Sequence, residues 1–194
     1  MLFRSDSDFR YSKFVAHIDD TDNSITSNNT EIKMIKRLTP ALNYATSYVI
    51  DFANKPEREG LYYGKVYPDE RILRSSSFTY VDSAGVEYPN AFLEDIPRPI
   101  LSSTEDANIG DVAVWNIVSN QRILVNSSIG TVSYSDSSEG PAGRVKITNL
   151  KTSSYNNYIS LYLTPNEKDI IATKNMILLM APEDISISVI ETVK

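Results

Sequence analysis

The chain has 194 residues, no cysteine, one histidine and a formal net charge of −6. Disulfides, thiolate metal sites and cysteine nucleophiles are excluded, and the acidic balance argues against the basic face that nucleic-acid binding needs. No run of about eighteen apolar residues is present, so no membrane-spanning helix is expected.

Residues 1–30 are polar, with isolated aromatics at Phe3, Phe9, Tyr11 and Phe14, and Asp19–Thr30 holds almost no core-forming residue. This segment reads as an extended arm or linker that orders on a neighbour. Its start, MLFRSDSDFRYSKF, carries acids and no apolar run, so it is not read as a signal peptide, and synthesis in the cytoplasm is the expectation. Residues 31–194 read as a β-rich assembly domain. EIKMIKRL is compatible with helix or strand, and Pro40 ends either. Strand is favoured because TSYVIDF follows, with Tyr48, Ile50 and Phe52 on one face and Ser47, Val49 and Asp51 on the other.

NKPEREG reads as a turn, and SSSFTYV as a strand broken by DSAG. The stretch 86–110, with Pro89, Pro97 and Pro99, reads as an irregular insertion. VAVWNIV around Trp115 and QRILVN are further strands. In GTVSYSDSSEGPAGRVKITNL, two alternating runs flank a glycine-bearing middle. A phosphate-cradling loop would place Lys-Ser/Thr after the glycines and open a helix. Here Arg144 follows Gly143 and VKITNL alternates as a strand, so Asp136–Gly143 is a long hairpin connection with Val132, Tyr134, Val145 and Ile147 facing the core. YISLYLT places Ile159, Leu161 and Leu163 on one face; NMILLM and ISISVIETV complete the set. Short strands between turn signals, with no strand–helix alternation, predict an all-β sandwich or Greek-key-like domain.

Candidate chemistry is sparse. Asp20, Asp22, Ser24, Thr26, Asn28 and Glu31 fall on the oxygen-donor positions of a calcium loop, but Ile25 stands where the sharp turn requires glycine. The segment reads as a polar linker and no metal is assigned. His17 has no base–orienter pattern around it. The carboxylate pairs Glu94/Asp95, Glu105/Asp106, Glu167/Asp169 and Glu183/Asp184 read as acids of turn-rich segments, and Lys33, Lys36 and Arg37 as one solvated strand edge. No catalytic residue and no cofactor is assigned. Twelve tyrosines against six phenylalanines favour half-buried sheets and interfaces, where the ring packs and the hydroxyl stays wet.

SITSNNTEIKMIKRLTPALNYATSYVIDFANKP resembles a segment in the C-terminal part of the large baseplate wedge protein (baseplate J-like) of contractile-tailed bacteriophages. SSSFTYVD, GTVSYSDSSEGPAGRVKITNL, YISLYLTPNEKDI and NMILLMAPEDISISVIETV resemble its following elements in the same order, so the likeness spans residues 20–194 apart from 86–110. The family protein is longer, with an N-terminal portion preceding this region. The resemblance implies a non-enzymatic virion protein of the tail baseplate, contacting other wedge and tail proteins and copies of itself; charge and hydropathy, separately, lead to no nucleic-acid or membrane partner being expected. Pattern then selects Phe9, Tyr11 and Phe14 of the arm and Tyr48, Tyr158 and Tyr162 of two strands as candidate interface residues. The alternative is a receptor- or carbohydrate-binding tail fibre or decoration module, marked by an exposed aromatic cluster near Trp115. A hydrolase using loop carboxylates is the third reading.

Overall fold

A computed structural model describes residues 11–21, 31–56, 71–97, 108–124, 127–153, 158–165 and 176–180. One helix, α1 (Tyr11–Asp19), precedes β1 (Glu31–Leu38), β2 (Thr46–Asp51), β3 (Leu73–Ser75), β4 (Phe78–Val81), β5 (Glu87–Pro97) and β6 (Ile109–Asn116). They are followed by β7 (Gln121–Arg122), β8 (Gly130–Ser133), β9 (Arg144–Leu150), β10 (Ile159–Leu163) and β11 (Met176–Met180). The all-β class expected from the sequence holds.

The strands form one antiparallel sheet in the order β11-β1-β10-β3-β5-β6-β8-β9-β2, with β4 also on β5 and β7 also on β6. Just past β9, Thr152 bridges Tyr80 of β4, Val81 donates its backbone N–H to Lys151 O, and the Thr152 hydroxyl donates to Thr79 O. Hydrogen bonds therefore link β4, β5, β6, β8 and β9 in a closed circuit. A curled, barrel-like sheet stands where the pattern suggested a sandwich or Greek key. Alternation along a strand is the same in both, and the closing bonds are single bridges that leave no period in the sequence.

Period-2 alternation turns one face of β1, β3, β5, β6, β9 and β10 inward. Leu161 and Leu163 of β10, Met34 and Leu38 of β1, Leu73 of β3, Leu93 of β5, Val112 and Val114 of β6, and Val145 and Ile147 of β9 belong to one buried cluster. Each such aliphatic side chain contributes about 1.5–3 kcal/mol on burial. The β8–β9 connection is a hairpin with Ser137 bridged to Gly140, and Gly140 and Gly143 have positive φ, as the turn reading required. The DSAG break is also a built turn. Asp82 Oδ1 accepts from Ala84 N and Val86 N, and these backbone bonds, Val86 first, hold its carboxyl below the usual carboxylate range.

Three expectations are corrected. Within the stretch 86–110, Glu87–Pro97 is not irregular but forms the eleven-residue β5, a central strand pairing with β3, β4 and β6, while residues 98–107 lie outside the described residues. Its prolines are tolerated by position. Pro89 and Asn90 (φ 60°) sit where the β4–β5 register shifts, and Pro97 is the final residue. Within the arm 1–30, Tyr11–Asp19 is helical rather than extended, and the Thr21 hydroxyl donates to His17 O at its C-terminal end. Phe14 and Ile18 share an i, i+4 relation that is too brief to stand out as a period. Finally, within the cluster Lys33, Lys36 and Arg37, Lys33 pairs with Leu178 of β11, whereas Lys36 and Arg37 lie past that pairing and meet only β10 among the described residues, so Lys33 alone departs from the strand-edge reading. The predicted strand ISISVIETV and the acids Glu105, Asp106, Glu167, Asp169, Glu183 and Asp184 lie outside the described residues.

Candidate assembly surface

The side of the sheet opposite the core carries an alternation of arginine and aromatic residues. On β10, Ile159, Leu161 and Leu163 point inward, so Tyr162, and Tyr158 just before the strand, lie on the other face. The same parity places Arg37 of β1 opposite Ser160, Arg74 of β3 opposite both Tyr162 and Glu94, and Phe92 of β5 opposite Trp115 of β6. The guanidinium of Arg37 lies 4.3 Å from the Tyr158 ring centroid, that of Arg74 4.5 Å from Phe92 and that of Arg71 5.8 Å from Trp115. Stacking of this kind contributes about 0.5–1 kcal/mol at exposed sites and fixes the direction in which each cation is presented.

The β3–β5 joint that positions Arg74 is held largely by side chains, since the strands share a single paired position, Arg74 with Glu94. Asp95 is fully buried. Its Oδ1 accepts from Ile72 N (2.9 Å) and Leu73 N (3.0 Å), and its Oδ2 accepts from the Tyr134 hydroxyl (2.8 Å). The Ser75 hydroxyl accepts from Leu93 N at 2.8 Å. Glu94 and Asp95 thus face opposite sides of a strand, which corrects their assignment to a turn-rich segment.

Burial pushes the Glu94 carboxyl above the usual carboxylate range; Arg71, whose Nε is 3.9 Å away, and Arg74 pull it back, while Asp95 adds to the rise. A raised folded-state pKa means that the folded protein holds this proton more tightly than the unfolded chain. The folded state gains as pH falls through that window and loses above it. Glu94→Gln is therefore expected to raise the melting temperature at about pH 7, with the advantage shrinking towards about pH 4. Thermal unfolding across that range checks it, and a destabilised variant at neutral pH would contradict the assignment.

The candidate residues separate. Tyr158, 44% exposed, and Tyr162 share the arginine–aromatic face. Tyr48 on β2 packs against the core and its hydroxyl accepts from Ala41 N at 2.9 Å; the exposed neighbour there is Val49. Tyr11 and Phe14 fall on α1, and Phe9 lies outside the described residues. Sequence reasoning read Arg37 as part of a solvated edge and Trp115 as a marker of carbohydrate binding, and did not select either, or Arg74 or Phe92, as interface residues, because their shared face depends on pairing between strands distant in the chain. Trp115 is half-buried.

His17 is exposed on α1. Among the described residues no group of three His, Cys, Asp or Glu side chains could hold a metal ion, and most of the calcium-like segment lies outside them. No described helix is long and apolar enough to cross a membrane.

Residues 4–37 match the family described as baseplate structural protein gp6, C-terminal domain III. The matched stretch takes in α1 and nearly all of β1. It supports a structural baseplate component of a phage tail. No curated protein and no solved structure matches the chain.

Proposed function

Proceeding from that match, we propose that the chain is a wedge or ring component of a contractile phage tail baseplate, holding neighbouring tail proteins and copies of itself in place without catalysis. The observation that carries this reading is the exposed arginine–tyrosine face of β1 and β10, because β1 also lies in the stretch similar to a baseplate structural protein. Tyrosine, tryptophan and arginine are the residues that dominate binding energy at protein–protein contacts. Tyr158 and Tyr162 are the interface candidates kept in first place, with Tyr11, Phe14 and Phe9 as contacts of the N-terminal segment. Tyr48 serves to pack β2. A carbohydrate-binding module would need an open aromatic platform at Trp115, where a half-buried ring lies beneath Arg71.

Quantitative mass spectrometry of purified particles tests the assignment. The chain is expected at a fixed low multiple of the hub protein and far below the sheath. Absence from the particle, or a copy number that follows the capsid or the fibres, would overturn it.

A further inference from the structure

The chain carries 25 acidic against 19 basic side chains, yet the outer face of β1, β3 and β10 presents the opposite charge. Arg37 and Arg74 are both exposed and stacked on rings, and neither forms an ion pair among the described residues. The carboxylate across the register from Arg74 is Glu94, whose side chain is only 12% exposed and whose charge is disfavoured by burial. Further along the same face, Trp115 Nε1 and the Nε of its cross-strand partner Arg122 are shielded from solvent and donate to no acceptor among the described residues. What this face presents to solvent is the positive charge and guanidinium donors of Arg37 and Arg74, beside a carboxylate that is largely buried.

Such a face is complementary to an occupant rich in carboxylate oxygens. Arg37 lies opposite Ser160, and Arg74 opposite Tyr162, on the two strands that flank β10. Strand spacing and rise put their backbones roughly 12 Å apart, close to the separation of side chains four residues apart on one face of an extended segment. Of the rings beneath the two arginines, Phe92 is 2% exposed and only Tyr158 is open, so the successive bare rings on which the bases of a nucleic acid stack are not presented here. We infer that the face built by Arg37, Arg74, Tyr158 and Tyr162 binds a carboxylate-bearing extended polypeptide segment of a neighbouring tail protein. The inference rests on the assembly reading and adds the chemistry of the partner.

The test uses the full chain at low ionic strength with three fluorescein-labelled probes: the acidic peptide (Glu-Ser)6, its neutral counterpart (Gln-Ser)6, and the oligonucleotide (dT)12. Binding is read by anisotropy and by the emission of Trp115, the single tryptophan. The acidic peptide is expected to bind, to weaken as salt rises, and to lose about tenfold in affinity with either Arg37→Ala or Arg74→Ala. Lys151→Ala, placed beyond β9, should leave binding unchanged, and Arg37→Lys should retain part of it. Both arginines are exposed, and circular dichroism confirms that the variants fold. The inference is overturned if neither peptide binds, if (dT)12 binds more tightly with the same arginine dependence, or if sedimentation shows these arginines joining two copies of the chain. A chain present in particles that ignores the acidic peptide would defeat this inference alone; a chain absent from particles would defeat the assembly reading, whatever the peptide does.

Discussion

Asp95→Ala is expected to lower the unfolding free energy by roughly 3–5 kcal/mol, seen as a lower urea midpoint with an unchanged slope. The carboxylate is fully buried and accepts from two backbone N–H groups at the start of β3 and from the Tyr134 hydroxyl across the core. Alanine would strand all three donors away from water and open a gap beneath β5. Because β3 meets β5 at only one paired position, the loss falls on the joint that connects β10 and β1 to the closed circuit. Asp95→Asn keeps an amide oxygen for Ile72 N and Leu73 N, and the Tyr134 hydroxyl can turn to accept from the amide, so about half the loss or less is expected. Equal losses for the two variants would show that charge, and not acceptor placement, holds the joint.

Gly143→Ala is the second large effect, at roughly 2–4 kcal/mol. Gly143 has φ 80°, is buried, donates its N–H to Ser133 O and accepts from Phe52 N, so it is fixed on both sides. A Cβ there would run into the backbone carbonyl oxygen of Asn54. Gly85 separates the two causes. Its φ is 84°, but a Cβ there would meet nothing within 4 Å, so Gly85→Ala carries only the backbone cost of about 1 kcal/mol. Denaturant midpoints of the two variants give the difference directly; similar values would remove the steric contribution assigned to Asn54.

Much of the core was legible because it depends on a period of two. Tyr48 and Ile50, Phe78 and Tyr80, Val132 and Tyr134, and Ile159, Leu161 and Leu163 all face inward as their alternation requires. The glycine-bearing hairpin was legible for a local reason, since its turn needs positive φ at Gly140 and Gly143. What escaped was set by partners elsewhere. β5 was hidden by Pro89, which is harmless only because the β4 register shifts beside it. Asp95 looked like a loop acid because its donors, Ile72, Leu73 and Tyr134, come from other elements. The candidate face was half visible. Tyr158 and Tyr162 alternate openly on β10, whereas Arg37 and Arg74 join them through pairings that no local pattern encodes.

The pairing of β1 with β10 also sets a schedule on the ribosome. Met34 and Leu38 bury themselves only when Leu163 and Ile159 arrive, and those residues are translated much later. At about 5–20 residues per second, β1 waits on the order of ten seconds with its apolar side unpaired. For that interval the nascent segment carries an unpaired apolar strand, the kind of edge open to premature strand pairing. Host growth temperature and translation speed should therefore govern how much soluble protein is made, apart from any change in the stability of the finished fold.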